Sequence, residues 1–159
     1  MAEIPIVYYS RTGKTRLIAE KLASLLGGRI EEIREQKDRS GVRGFLGGGK
    51  DALFGKPTVL TSEHSVEGVE TVVIGMPVWA NRPPPAVRAY LDAVDLAGKR
   101  VCAFCTHDGG GGKGTFAALE RLLGGQLLET IDFKKPKPDD PDLLARLQAW
   151  AEKVRKAAS

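Results

Sequence analysis

The chain has 159 residues, with 24 Lys and Arg against 20 Asp and Glu for a net charge of +4. Apolar residues make up 42% and charged residues 28%, which excludes a disordered chain and suits one ordinary domain over 1–159. The longest apolar runs, Val72 to Met76 and Val101 to Cys105, are strand-length. They fall far short of the ~18–20 residues of a membrane span. The basic residues are scattered, so no nucleic-acid face is read from them.

Met1 to Pro5 has neither a basic n-region nor a long apolar stretch, so no secretory signal is read and a cytoplasmic home is expected. Ile4 to Tyr9, apolar and rich in β-branched and aromatic residues, predicts a strand. Gly13 to Leu26 places Leu17, Ile18, Leu22, Leu25 and Leu26 on one helical face, and Gly27-Gly28 stops it. Arg29 to Arg34 predicts a polar edge strand.

Glu35 to Glu70 is less regular. Its Gly-rich part, 36–56, suggests a short helix over Asp51 to Phe54. Phe45 and Phe54 there are read as core, with a cap over a ligand or a dimer contact as the alternatives. Thr71 to Met76 predicts a buried strand, and Pro83-Pro84-Pro85 opens a helix over Ala86 to Val94. Lys99 to Cys105 is the fourth strand, Thr115 to Leu123 a helix ended by Gly124-Gly125, and Leu127 to Phe133 the last strand. Asp140-Pro141 caps a closing helix with Leu143, Leu147, Trp150, Ala151 and Val154 on its apolar side. Strand and helix alternate five times, which predicts an α/β three-layer sandwich, a parallel sheet with helices on both faces.

Cys102 and Cys105 form a C-x-x-C pair, a spacing that suggests redox or metal chemistry. Three apart on one strand, they point to opposite faces and are read as core residues. With only two His, no metal ligands are assigned.

In an open parallel sheet, ligands sit beyond the carboxyl ends of the strands where strand order reverses. Three unusual loops fall at such ends. The first is Ser10-Arg11-Thr12-Gly13-Lys14-Thr15, between a strand and a helix. Free N–H groups at a helix start, the helix dipole and short hydroxyls suit a phosphate. A nucleotide P-loop is set aside because it needs Gly where Tyr8 stands. The second carries Trp79 directly after a buried strand, where an exposed indole suggests a ligand ring to stack on. The third, Thr106 to Gly114, is glycine-rich enough to bring bare backbone to a ligand. It also fits G-x-G-x-x-G from Gly109, with Glu129 downstream, but after the fourth strand rather than the first.

Ser10 to Thr15 matches a (Ser/Thr)-x-(Ser/Thr)-Gly-x-Thr pattern after the first strand, and in it the chain resembles the flavodoxin family. The resemblance continues through Gly75-Met76-Pro77-Val78-Trp79 and Thr106 to Gly114, and covers the whole chain in order. It implies a five-stranded sheet in the order 2-1-3-4-5 and a non-covalently bound FMN. Ser10, Arg11, Thr12, Gly13, Lys14 and Thr15 are then expected around its phosphate. Pro77, Val78, Trp79, Ala80 and Asn81, with Thr106, His107, Asp108, Gly109, Gly110, Gly111 and Gly112, are expected to flank its ring.

The chain departs from the family pattern in three ways. No aromatic residue occurs between Thr106 and Gly114, so His107 is either a substitute for the second stacking ring or an ordinary loop residue. Arg11, Lys14, Arg82 and Lys113 lie in these loops with Asp108 opposing them, where family members are acidic; such charge is expected to raise the flavin potential. Ala80 follows Trp79 where Gly is usual, and Ala is expected to resist positive φ. An electron carrier is the first functional reading and an FMN-dependent NAD(P)H:quinone-type oxidoreductase the alternative. A non-redox binding module on the same fold is the third. The implied partners are redox proteins, or NAD(P)H with a small-molecule acceptor. No catalytic acid or base is assigned, and the oligomeric state is open, a dimer included.

Overall fold

The computed structural model describes residues 3–36 and 58–159. The expected helix over Asp51 to Phe54, and Phe45, lie outside them. Strands β1 (Ile6–Tyr8), β2 (Ile30–Glu32), β3 (Thr71–Pro77), β4 (Arg100–His107) and β5 (Thr130–Lys134) form one parallel sheet in the order β2-β1-β3-β4-β5. Helices α1 (Lys14–Leu26), α2 (Pro85–Ala93), α3 (Gly112–Leu123) and α4 (Pro141–Ala158) cover it.

Alternation along each strand divides the core in two. Ile6, Tyr8, Val73, Cys102 and Phe104 face α1 and α4, packing on Ile18, Leu22, Leu147, Trp150 and Val154. Val7, Val72, Ile74, Met76 and Cys105 face α2 and α3, packing on Val87, Tyr90 and Leu119. Cys102 and Cys105 therefore lie on opposite faces, both free and buried. Loss of hydration pushes the Cys102 thiol up to about 11 and the Cys105 thiol up to about 12.

The polar β2 sits at the sheet edge, as its composition predicts. Beyond it the chain does something the periodicity does not signal. Glu35 pairs antiparallel with Leu60, joined by Gln36 N–H to Val59 O and Thr61 N–H to Arg34 O. His64 pins this segment: its buried ring bonds Ser62 Oγ and the Glu31 carboxylate and meets Tyr90 edge-on.

Several boundaries differ from expectation: β1 and β2 are shorter than Ile4 to Tyr9 and Arg29 to Arg34, and β5 starts at Thr130 rather than Leu127. β4 runs on through Thr106 and His107 because both pair with β5, opposite Phe133 and Lys134. α3 starts at Gly112 rather than Thr115. Gly is a poor helix former, but Gly112 is buried where an added Cβ would meet Asp132 at 3.2 Å and Cys105 at 3.3 Å, so packing overrides propensity.

Candidate functional site

β1 and β3 are neighbours whose crossovers run to opposite sides, so the sheet's switch point lies at their carboxyl ends. An open cleft lies there. It is lined by the first loop and α1 start (Arg11, Thr12, Lys14, Thr15), by Pro77, Val78 and Trp79 after β3, and by Thr106, His107, Asp108 and Gly110 after β4. Three loops far apart in sequence are thus brought to one place. Of the other expected residues, Ser10, Gly13, Ala80, Asn81, Gly109, Gly111 and Gly112 stand behind or beside this lining.

The first loop is held open by its own residues. Ser10 Oγ accepts the Gly13 N–H at 3.0 Å and the Arg16 N–H at 3.4 Å, so Ser10 shapes the turn rather than facing the cleft. Gly13, at φ 94°, is the N-cap of α1 and supplies no capping side chain. Among the described residues, the N–H groups of Thr12, Lys14 and Thr15 find no acceptor. α3 likewise begins on a glycine cap, Gly111 at φ 92°, with no acidic residue in its first turn. By contrast, Asp140 caps α4 by accepting the Asp142 N–H. The helix that borders the cleft with α1 is therefore also left uncapped, an arrangement that favours an anion.

The hydroxyls of Thr15 and Thr106 bond each other at 2.9 Å, both residues nearly fully buried. This ties the first turn of α1 to the end of β4 and forms the cleft floor. Above it Lys14 Nζ reaches Asp108 Oδ1 at 3.1 Å, an exposed pair linking the first and third loops.

Trp79 corrects the picture of an exposed ring. It is 4% exposed, in edge-to-face contact with Tyr9 (centroids 5.5 Å, 86°), and borders the cleft from within the core. The chain then reverses through Ala80 and Asn81, with reciprocal backbone bonds between Trp79 and Arg82 at 3.2 and 3.0 Å. Both central residues have positive φ, 52° and 59°, as a type I′ turn requires. Ala80 thus adopts the conformation that its Cβ was expected to resist, because closure of the turn over-determines it.

The glycine tract is also corrected in part. A Cβ at Gly111 would lie 2.4 Å from Asn81 Oδ1 and 2.6 Å from Val78 Cγ1. Gly111 and Gly112 are bare so that the third loop can pack on protein; Gly109 and Gly110 face open space. His107 has both ring nitrogens engaged, with Gly110 N–H at 2.9 Å and Asp132 Oδ2 at 2.6 Å. Sequence reasoning missed Asp132 and Tyr9, since nothing local marks a strand residue as the anchor of a distant loop.

Fold, switch-point cleft and an uncapped hydroxyl-rich turn together define a flavodoxin-like α/β protein. The sequence model of the family described as flavodoxin matches residues 3–129, and the chain belongs to that family. Solved structures agree in fold. A flavoprotein of Lactobacillus acidophilus, solved in complex with FMN, is 20% identical with a TM-score of 0.67, the match covering 83% of this chain and 93% of that one. Oxidised flavodoxin 2 of Bacillus cereus is 18% identical with a TM-score of 0.66, covering 98% and 99%. Two-electron reduced Megasphaera elsdenii flavodoxin is 18% identical at 0.61, covering 96% and 98%. No curated protein sequence matches the chain. Among the described residues no helix is long and apolar enough to cross a membrane.

Proposed function

We propose that the chain binds FMN without a covalent bond in this cleft and serves as an electron carrier. The observation that carries the reading is the turn over Thr12 to Thr15: three backbone N–H groups without acceptors at the positive end of α1, beside Lys14 and Arg11. Such a turn holds a phosphate dianion by charge-assisted hydrogen bonds. Pro77, Val78 and the edge of Trp79 give an apolar wall that keeps water from a flat ring, and the chain from Thr106 to Gly110 bounds the other side. Bound there, FMN would supply reversible uptake and release of electrons.

A second reading, the NAD(P)H:quinone-type oxidoreductase, is favoured by one feature. The third loop brings no aromatic side chain to the cleft, leaving one side open to a small molecule.

Titration of the flavin-free chain with FMN, followed by quenching of flavin fluorescence, tests the cleft. Riboflavin, which lacks the phosphate, is expected to bind about 100-fold more weakly, a difference of about 2.7 kcal/mol. Equal affinity for the two, or no binding of either, overturns the reading. NAD(P)H consumption by the loaded protein with a quinone separates reductase from carrier.

A further inference from the structure

The mouth of the cleft is ringed by cations that do not line it. Arg82 closes the turn holding Asn81, and Asn81 packs against Gly114, where an added Cβ would lie 3.3 Å from the Asn81 backbone oxygen; the loop that carries Lys113 thus meets the turn that carries Arg82. Across the mouth, Lys134 is the register partner of His107, and the Lys135 N–H donates to His107 O at 2.8 Å. All four side chains belong to exposed residues, and none has an ion-pair partner among the described residues. Of the neighbouring carboxylates, Asp108 is ion-paired with Lys14, while Asp132, hydrogen-bonded to His107, and the exposed Asp139 and Asp140 keep their charge against these cations.

Taking the cleft as an FMN site, we infer that this face docks an acidic electron-transfer protein. Arg82, Lys113, Lys134 and Lys135 stand outside the cleft lining, on exposed positions around it. They face any surface laid across its mouth. Charge of one sign around a redox centre steers an oppositely charged partner into register and accelerates encounter, an effect that salt weakens. The exchange is one electron: the partner's reduced centre would lose one electron and flavin held in the cleft would take it up, with no bond formed between the proteins.

The test uses the FMN-loaded full chain and a reduced plant-type ferredoxin, an acidic iron–sulfur protein, with stopped-flow absorbance as the readout. Between about 0.02 M and 0.5 M salt the second-order rate constant is expected to fall about tenfold or more. Exchange with horse cytochrome c, a basic protein, is expected to hold steady or speed up. Arg82→Glu, Lys113→Glu and Lys135→Glu combined should flatten or invert the ferredoxin slope while the flavin stays bound. A ferredoxin rate that ignores salt, or one unmoved by charge reversal, overturns the inference. So does salt dependence confined to NADPH, which would assign the cations to a small molecule. Low-salt binding of ferredoxin to the flavin-free chain, by calorimetry, reads the surface alone. Failure to hold FMN defeats the cleft reading, and failure to bind ferredoxin in that measurement defeats the docking inference.

Discussion

Nδ1 of His107 accepts the backbone N–H of Gly110 at 2.9 Å, which fixes the ring's proton on Nε2, where it is donated to Asp132 Oδ2 at 2.6 Å. An amide N–H can only donate, so the neutral Nε2–H tautomer alone satisfies both contacts. One side chain thereby pins a glycine loop to β5. In His107→Asn the amide oxygen can take the place of Nδ1, and FMN affinity should stay within about twofold of the parent. In His107→Leu the lost bond, worth about 1 kcal/mol, should weaken FMN about fivefold in a fluorescence titration. Equal affinity in Leu and Asn variants would show that the clasp has no bearing on the cleft.

The Thr15–Thr106 bond joins residues 91 positions apart. Thr15→Val leaves a buried hydroxyl without its partner and should cost about 1–3 kcal/mol in urea denaturation. Adding Thr106→Val removes the orphan, so the double variant should be less destabilised than the sum of the singles by about 0.5 kcal/mol or more. Strict additivity would contradict a direct bond.

Ala80 at φ 52° carries backbone strain of about 1 kcal/mol. Ala80→Gly relieves it and should keep or raise stability, by up to about 1 kcal/mol, while Ala80→Val should lower it by about 1–2 kcal/mol. A marked loss of stability in the glycine variant would argue against this turn.

Gly111→Ala puts a methyl against Asn81 and Val78 at a φ of 92° and should cost about 2 kcal/mol or more. Gly109→Ala meets nothing within 4 Å and should be near neutral. Thermal unfolding of the pair separates glycines that pack from those that merely turn.

The buried thiols tie stability to alkaline pH. Cys102 ionises near 9.0 unfolded and about 11 folded, and Cys105 near 9.0 and about 12. The folded state holds these protons more tightly, so their contribution is complete below pH 9 and is lost as pH rises toward 11 to 12. The urea midpoint of the parent should fall more steeply above pH 9 than that of Cys102→Ala/Cys105→Ala.

Local chemistry made much of the site legible. Ser10 to Thr15 is a contiguous turn whose caps and hydroxyls act within six residues, and the apolar runs of β3 and β4 identify buried strands from composition alone. The roles inside the site were less visible. Trp79 reads as exposed until Tyr9 meets its edge, and the glycine tract reads as ligand-facing until Gly111 packs on Asn81. The antiparallel run of 34–36 with 59–61 has no period of its own to announce it.

By itself the sequence determined the order of strands and helices and the uncapped turn that begins α1, since periodicity and capping act over a few residues. Tertiary structure decided which groups answer one another: Thr15 with Thr106, His107 with Asp132, Gly111 against Asn81. Those pairings depend on strand order and register, which bring distant backbone within hydrogen-bonding or packing distance, and no short window of sequence contains both partners.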